Sequence, residues 1–81
     1  MAKLPRVSGR DVIKLLQSLG YSVARRKGSH VHLWKMTASG QHTVTVPDHK
    51  TVAKGTLSDI LLVVSVKNGI SRLDLVKQLR A

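Results

Sequence analysis

Lys27-Gly28-Ser29-His30, opening directly into Val31-His32-Leu33-Trp34-Lys35-Met36, decides how the rest of the chain is read. A cation and a turn-forming pair precede a run that alternates with period two, the pattern of a half-buried strand. Val31 and Leu33 fall on one face; His30, His32, Trp34 and Met36 fall on the other. Two imidazoles and an indole make a poor core and a good surface for RNA. Imidazole titrates near neutral pH, so His30 is able to move a proton. The neighbouring cations are able to hold a phosphate beside it.

Working outward, Ser8 starts a first helix on which Val12, Leu15, Leu16 and Leu19 recur at helical spacing, and Gly20 stands where a helix ends in the left-handed conformation. Residues 21–26 read as a first strand with Tyr21 and Val23 turned inward, and Gly28-Ser29 turns the chain into the second strand, through Met36. Residues 37–41 read as a loop. A third strand over 42–46 puts Val44 and Val46 on one face, and Pro47 closes it because it has no N–H for a ladder. Residues 48–55 form a basic loop ending in Lys54-Gly55, Thr56 starts a second helix, and Ser71 starts a short third one bearing Leu75, Val76 and Leu79. Between the last two lies Ile60-Leu61-Leu62-Val63-Val64-Ser65-Val66. Its β-branched content favours a strand and the start at Thr56 favours a helix. In either form so apolar a segment is expected to be deeply covered, and any uncovered part is expected to be a partner-binding patch.

Charge is the strongest compositional signal. Fourteen Lys and Arg against four Asp and no Glu give a net charge of +10 over 81 residues. So basic a domain is expected to meet a polyanion, and nucleic acid fits better than a surface merely tuned for solubility. Most of the cations precede residue 55, which places the expected contact in the amino-terminal two-thirds. The length predicts one domain over 1–81 with a modest core. Without cysteine there are no disulfides and no thiolate metal sites. No apolar run approaches bilayer-spanning length, and no apolar segment follows Lys3 and Arg6 to make a secretory signal, so a cytoplasmic location without membrane contact is expected.

Three helix starts share one device: Ser8-x-x-Asp11, Thr56-x-x-Asp59 and Ser71-x-x-Asp74 each place a hydroxyl at the N-cap and a carboxylate three residues on. If all three are caps, Asp48 alone is spare. One carboxylate builds neither a two-carboxylate mechanism nor a magnesium cage, so metal-dependent nuclease chemistry is not expected. Four histidines suggest zinc only weakly, because no helical pair at i, i+4 exists.

A metal-free ribonuclease needs a base for the ribose 2′-hydroxyl, an acid for the leaving oxygen and cations for the charge that develops on phosphate. His30 is the candidate base, with Arg25, Arg26, Lys27 or Lys35 as cationic partners. The backbone at Gly28 and Ser29 is able to approach a phosphate closely. Spacing alone favours reading His30 as an exposed strand residue beside an ordinary turn. His32 is a second titrating group or a polar surface residue on the same face, and Trp34 is a base-stacking platform or a partly covered indole. His42 and His49 flank the third strand. Lys54 either touches phosphate or simply precedes a helix start, itself an anion-binding feature.

Four ordered blocks carry a resemblance: Leu4-Pro5-x-x-Ser8-Gly9, Lys27-Gly28-Ser29-His30, Val44-Thr45-Val46-Pro47-x-His49 and Lys54-Gly55-Thr56-Leu57-x-x-Ile60-Leu61. Their order and spacing, from about residue 3 to 61, are similar to those of the HicA-type (YcfA-like) toxins. The resemblance implies an α+β fold, α-β-β-β-α like a double-stranded-RNA-binding domain, with helices on one face of a three-stranded antiparallel sheet; the helix begun at Ser71 follows. It implies the toxin of a type II toxin–antitoxin pair: an mRNA interferase that cleaves mRNA without metal or other cofactor and is neutralised by a HicB-like antitoxin. It puts the catalytic histidine at His30. RNA contacts are expected at Arg25, Arg26, Lys27, Gly28, Ser29, His32, Trp34, Lys35 and Lys54. Residues 62–81 depart from the family pattern, with roughly one extra helical turn before Gly69-Ile70-Ser71. The antitoxin or a second copy of the chain is the expected cover for that apolar segment. Two rival readings stand beside the toxin: a non-catalytic RNA-binding module of the same fold, and an interaction protein whose basic face docks an acidic partner.

Overall fold

The computed structural model describes residues 4–80; Lys3, where the resemblance begins, lies outside them. The elements run α1 (Gly9–Ser18), β1 (Ser22–Lys27), β2 (His30–Thr37), β3 (Gly40–Pro47), α2 (Lys54–Asn68) and α3 (Arg72–Arg80). The strands form an antiparallel sheet in the order β1-β2-β3. All three helices share one apolar core with its inner face. Val31, Leu33, Val44 and Val46 from the sheet meet Val12 and Leu16 of α1, Leu57, Leu61 and Val64 of α2, and Leu75 of α3, each almost fully buried.

The first helix begins as its sequence dictates. Ser8 Oγ accepts from the Asp11 N–H and Asp11 Oδ2 accepts from the Ser8 N–H, both at 3.1 Å. These bonds, the backbone one first, hold the Asp11 carboxyl below its usual range. α3 uses half the device, Ser71 Oγ accepting from the Asp74 N–H at 3.1 Å.

The second helix corrects the sequence reading. It starts at Lys54 with Ala53 in the N-cap position and no side-chain cap bond, so Thr56 and Asp59 form no capping box. The carboxylate accounting shifts with it. Asp48 is paired with Arg26 at 2.8 Å, and Asp59 makes neither an ion pair nor a side-chain hydrogen bond among the described residues. α2 runs unbroken to Asn68 and stops at Gly69, whose φ of 63° is left-handed. The ambiguous segment is therefore helix. Leu57, Ile60, Leu61 and Val64 recur at i, i+3, i+4 and i+7 and are buried. Leu62, Val63 and Val66 lie on the other side and are exposed, contrary to the expected deep burial.

Both hairpins are tight. Lys27 pairs with His30 across Gly28-Ser29, where Gly28 alone has positive φ (60°), the backbone a two-residue primed turn asks of its first position. Thr37 pairs with Gly40, so the loop expected at 37–41 shrinks to Ala38-Ser39. β1 is an edge strand exposed along its whole length. Tyr21, just before it, is buried as expected. Val23 is not: it pairs with the buried Leu33 yet is 46% exposed. A register shift between Val23 and Arg25 bulges the strand, a common device at edges.

Candidate active site and nucleic-acid interface

Residues paired across strands share a face of the sheet. His30 pairs with Lys27 and Pro47, His32 with Arg25 and Thr45, and Trp34 with Ser22 and Thr43. The face away from the helices thus carries Arg25, Lys27, His30, His32 and Trp34 together, with threonines beside them and no carboxylate. His32 is held by Thr45, whose Oγ1 lies 2.9 Å from Nδ1. Trp34 is 38% exposed and walls a shallow depression with Ala24, Gln41 and Thr43. Every titratable side chain on this face is a cation or an imidazole, so a polyanion meets no repulsion there.

At the turn end of β2 the surface dips into an open concavity of about 360 Å³, lined by His30, Thr45, Pro47, His49, Ala53 and Thr56. The uncapped first turn of α2 therefore faces the same space as two imidazoles, and backbone N–H groups at a helix start favour an anion. The loop after β3 is fastened to its surroundings. Asp48 N–H donates to Ser29 O at 2.6 Å, Gly9 N–H donates to His49 O at 2.9 Å, and Val52 N–H donates to Val7 O at 2.8 Å. His49 Nε2 lies 3.3 Å from Ser29 Oγ, within the turn that carries His30. Gly9 is required at this contact: a Cβ there would collide with Pro47 O and stand 2.6 Å from Asp48 Cα.

Other residues singled out in the sequence are placed differently. Arg26 pairs with the buried Val31, on the helix side, and its guanidinium is engaged by Asp48. Gly28 and Ser29 form the turn itself. Lys54 is exposed on the first turn of α2, next to the concavity but outside its lining. Lys35 is not brought to His30, because strand parity turns it toward the helices. There Lys35 Nζ donates to Asn68 Oδ1 at 2.6 Å and stands 5.7 Å from the centre of the Tyr21 ring. Lysine only donates, so it fixes the Asn68 amide with its nitrogen toward Tyr21 Oη, at 2.9 Å. The Tyr21 hydroxyl also lies 2.6 Å from His42 Nδ1. Burial, and then the Lys67 charge, push the His42 pKa down. His42 thus belongs to a network on the opposite side of the sheet, with its neutral form favoured.

Sequence reasoning placed His49 only beside the third strand. The missed signal is register: once Ala38-Ser39 is the turn, Pro47 falls opposite His30 and His49 just beyond it. Among the described residues no group of three or more His, Cys, Asp or Glu converges as a metal site, and no helix is long and apolar enough to cross a membrane.

Comparison with known proteins gives one family. The model of the HicA toxin of bacterial toxin-antitoxin systems matches residues 9–64, from the first residue of α1 to the middle of α2. No curated protein and no solved structure matches the chain.

Proposed function

The chain belongs to the HicA toxin family, which makes it the toxin of a bacterial toxin–antitoxin system, and we propose that it acts as an endoribonuclease that cleaves mRNA without a metal ion. The observation that carries this reading is His30, exposed on a cationic, carboxylate-free sheet face and at the lip of a concavity closed by the start of α2. His30 is the general base. Neutral at the start, it takes the proton of the ribose 2′-hydroxyl, and the 2′-oxygen attacks the adjacent phosphorus. Lys27 beside it and the α2 N–H groups hold the charge that grows on the phosphate oxygens. The RNA strand continues along β2, where Arg25 meets backbone phosphate and Trp34 stacks on an unpaired base. The toxin's partner is a HicB-like antitoxin, and the basic face suits an acidic one. A cytoplasmic site of action goes with an mRNA substrate.

The test is His30→Ala. Its ring fills no core space, so stability changes by no more than about 0.5 kcal/mol. Loss of a positioned base costs about 100- to 10,000-fold in rate. The expected variant is folded, binds RNA and is harmless on expression, while the unaltered protein cuts mRNA in excess EDTA. Cleavage that disappears with EDTA and returns with a divalent ion, or a His30→Ala protein that still cuts, overturns the reading.

A further inference from the structure

The base at His30 leaves the departing oxygen without a proton donor, and the concavity holds a second imidazole. His49 is fixed from three directions. α1 donates to its carbonyl through Gly9, the Gly28-Ser29 turn accepts from the Asp48 N–H, and Arg26 of β1 grips the Asp48 side chain. The His49 N–H closes the loop on itself by donating to Pro47 O at 2.9 Å. The ring is nevertheless exposed, with Ser29 Oγ at 3.3 Å from Nε2. An exposed side chain with no packing role needs no backbone anchored in this way; a group that must meet a substrate atom does.

Resting on the ribonuclease reading, we propose that His49 is the general acid of the cleavage. His30 removes the proton from the 2′-hydroxyl, and the 2′-oxygen forms a bond to phosphorus. The bond from phosphorus to the 5′-oxygen breaks, its electron pair stays on that oxygen, and the proton of His49 is delivered there. The products are a 2′,3′-cyclic phosphate and a 5′-hydroxyl end, with no redox partner and no water consumed. His30 is then protonated and His49 neutral, and because both rings are exposed, solvent restores the starting pair. Ser29 Oγ orients the His49 ring. His32 is the wrong donor: it is bound to Thr45 and does not line the concavity.

A leaving-group experiment separates the two histidines. The substrate is a DNA strand with a single ribonucleotide at a linkage the unaltered protein cuts in mRNA, made with either oxygen or sulfur at the bridging 5′ position. A departing thiolate needs no proton. His49→Ala is expected to slow the oxygen-bridged substrate about 100-fold or more and to leave the sulfur-bridged one within a few-fold of the unaltered protein. His30→Ala should lose both. Equal loss on the two substrates in His49→Ala, or no loss on either, overturns the acid assignment while leaving the base untouched. His49→Gln keeps a hydrogen-bonding side chain next to Ser29 without an imidazole acid, and should behave like His49→Ala. Undiminished cutting by His30→Ala, or no cutting by the unaltered protein, brings down the ribonuclease reading and this proposal with it.

Discussion

Arg26 Nη1 lies 2.8 Å from Asp48 Oδ2, and this ion pair ties the first hairpin to the loop that follows β3. The Arg26 side chain is about half exposed and that of Asp48 a quarter, so the pair adds little to global stability. Arg26→Ala is expected to shift the unfolding free energy by no more than about 1 kcal/mol, less in high salt. Cleavage should fall more than that figure suggests, because a misplaced His49 acts on the chemistry and not on the fold. Urea titration beside a cleavage rate checks both; equal unfolding with an unchanged rate shows that the pair does not position the loop.

Binding to single-stranded RNA should weaken steeply with salt, since every neutralised phosphate releases counterions. Removing Arg25 or Lys27 is expected to reduce the salt slope by about 1 each, uniformly over RNA sequences. Lys35→Ala should leave the slope unchanged and lower stability instead, because Lys35 serves Asn68 and Tyr21 on the other side of the sheet. Titrations of the three variants at several ionic strengths decide the matter.

His42 makes stability depend on pH. Its folded pKa lies below the ordinary 6.5 through burial and the Lys67 charge. Above 6.5 neither folded nor unfolded chain binds the proton, and the stabilisation is fully present. As pH falls below 6.5 the unfolded chain takes the proton first, so stability is lost progressively down to the lowered folded pKa. Denaturation midpoints measured on either side of 6.5 should differ in the unaltered protein and converge in His42→Gln. Asp11 acts in a separate window: its stabilisation is lost only as pH falls below 3.8.

Leu61 and Leu62 are chain neighbours with opposite fates, 0% and 55% exposed. Leu61→Ala is expected to cost about 2–5 kcal/mol, and Leu62→Ala to stay within about 0.5 kcal/mol. A strand through this segment would also put neighbours on opposite faces, so the discriminating variant is Val64→Ala. The helix buries Val64 with Leu61, whereas a strand would turn it away. Thermal unfolding of the three proteins reads the answer.

The sheet was legible because β2 writes its two faces in alternating residue types, and His30, His32 and Trp34 fall on the open face as their positions predict. α1 was legible because its cap and its apolar stripe agree. The start of α2 was not, since Thr56-x-x-Asp59 has the form of a cap while the chain has already turned helical at Lys54. Its length was hidden for another reason: Leu62, Val63 and Val66 fill the outer side and erase the contrast that marks a helix face. Lys35 was misplaced by proximity in sequence, where parity along the strand was the stronger guide. The pairing of His30 with His49 in one concavity depends on the width of the second hairpin turn. A five-residue loop would have set Met36 opposite His42, one step out of the observed register.

The concavity is lined from the first hairpin, the loop after β3 and the start of α2, and the start of α1 anchors that loop through Gly9. No contiguous fragment shorter than residues 9–56 contains all four. A chain emerging from the ribosome therefore carries His30 long before it carries a site. Under the ribonuclease reading proposed above, it is expected to be inert toward RNA until α2 has begun to fold.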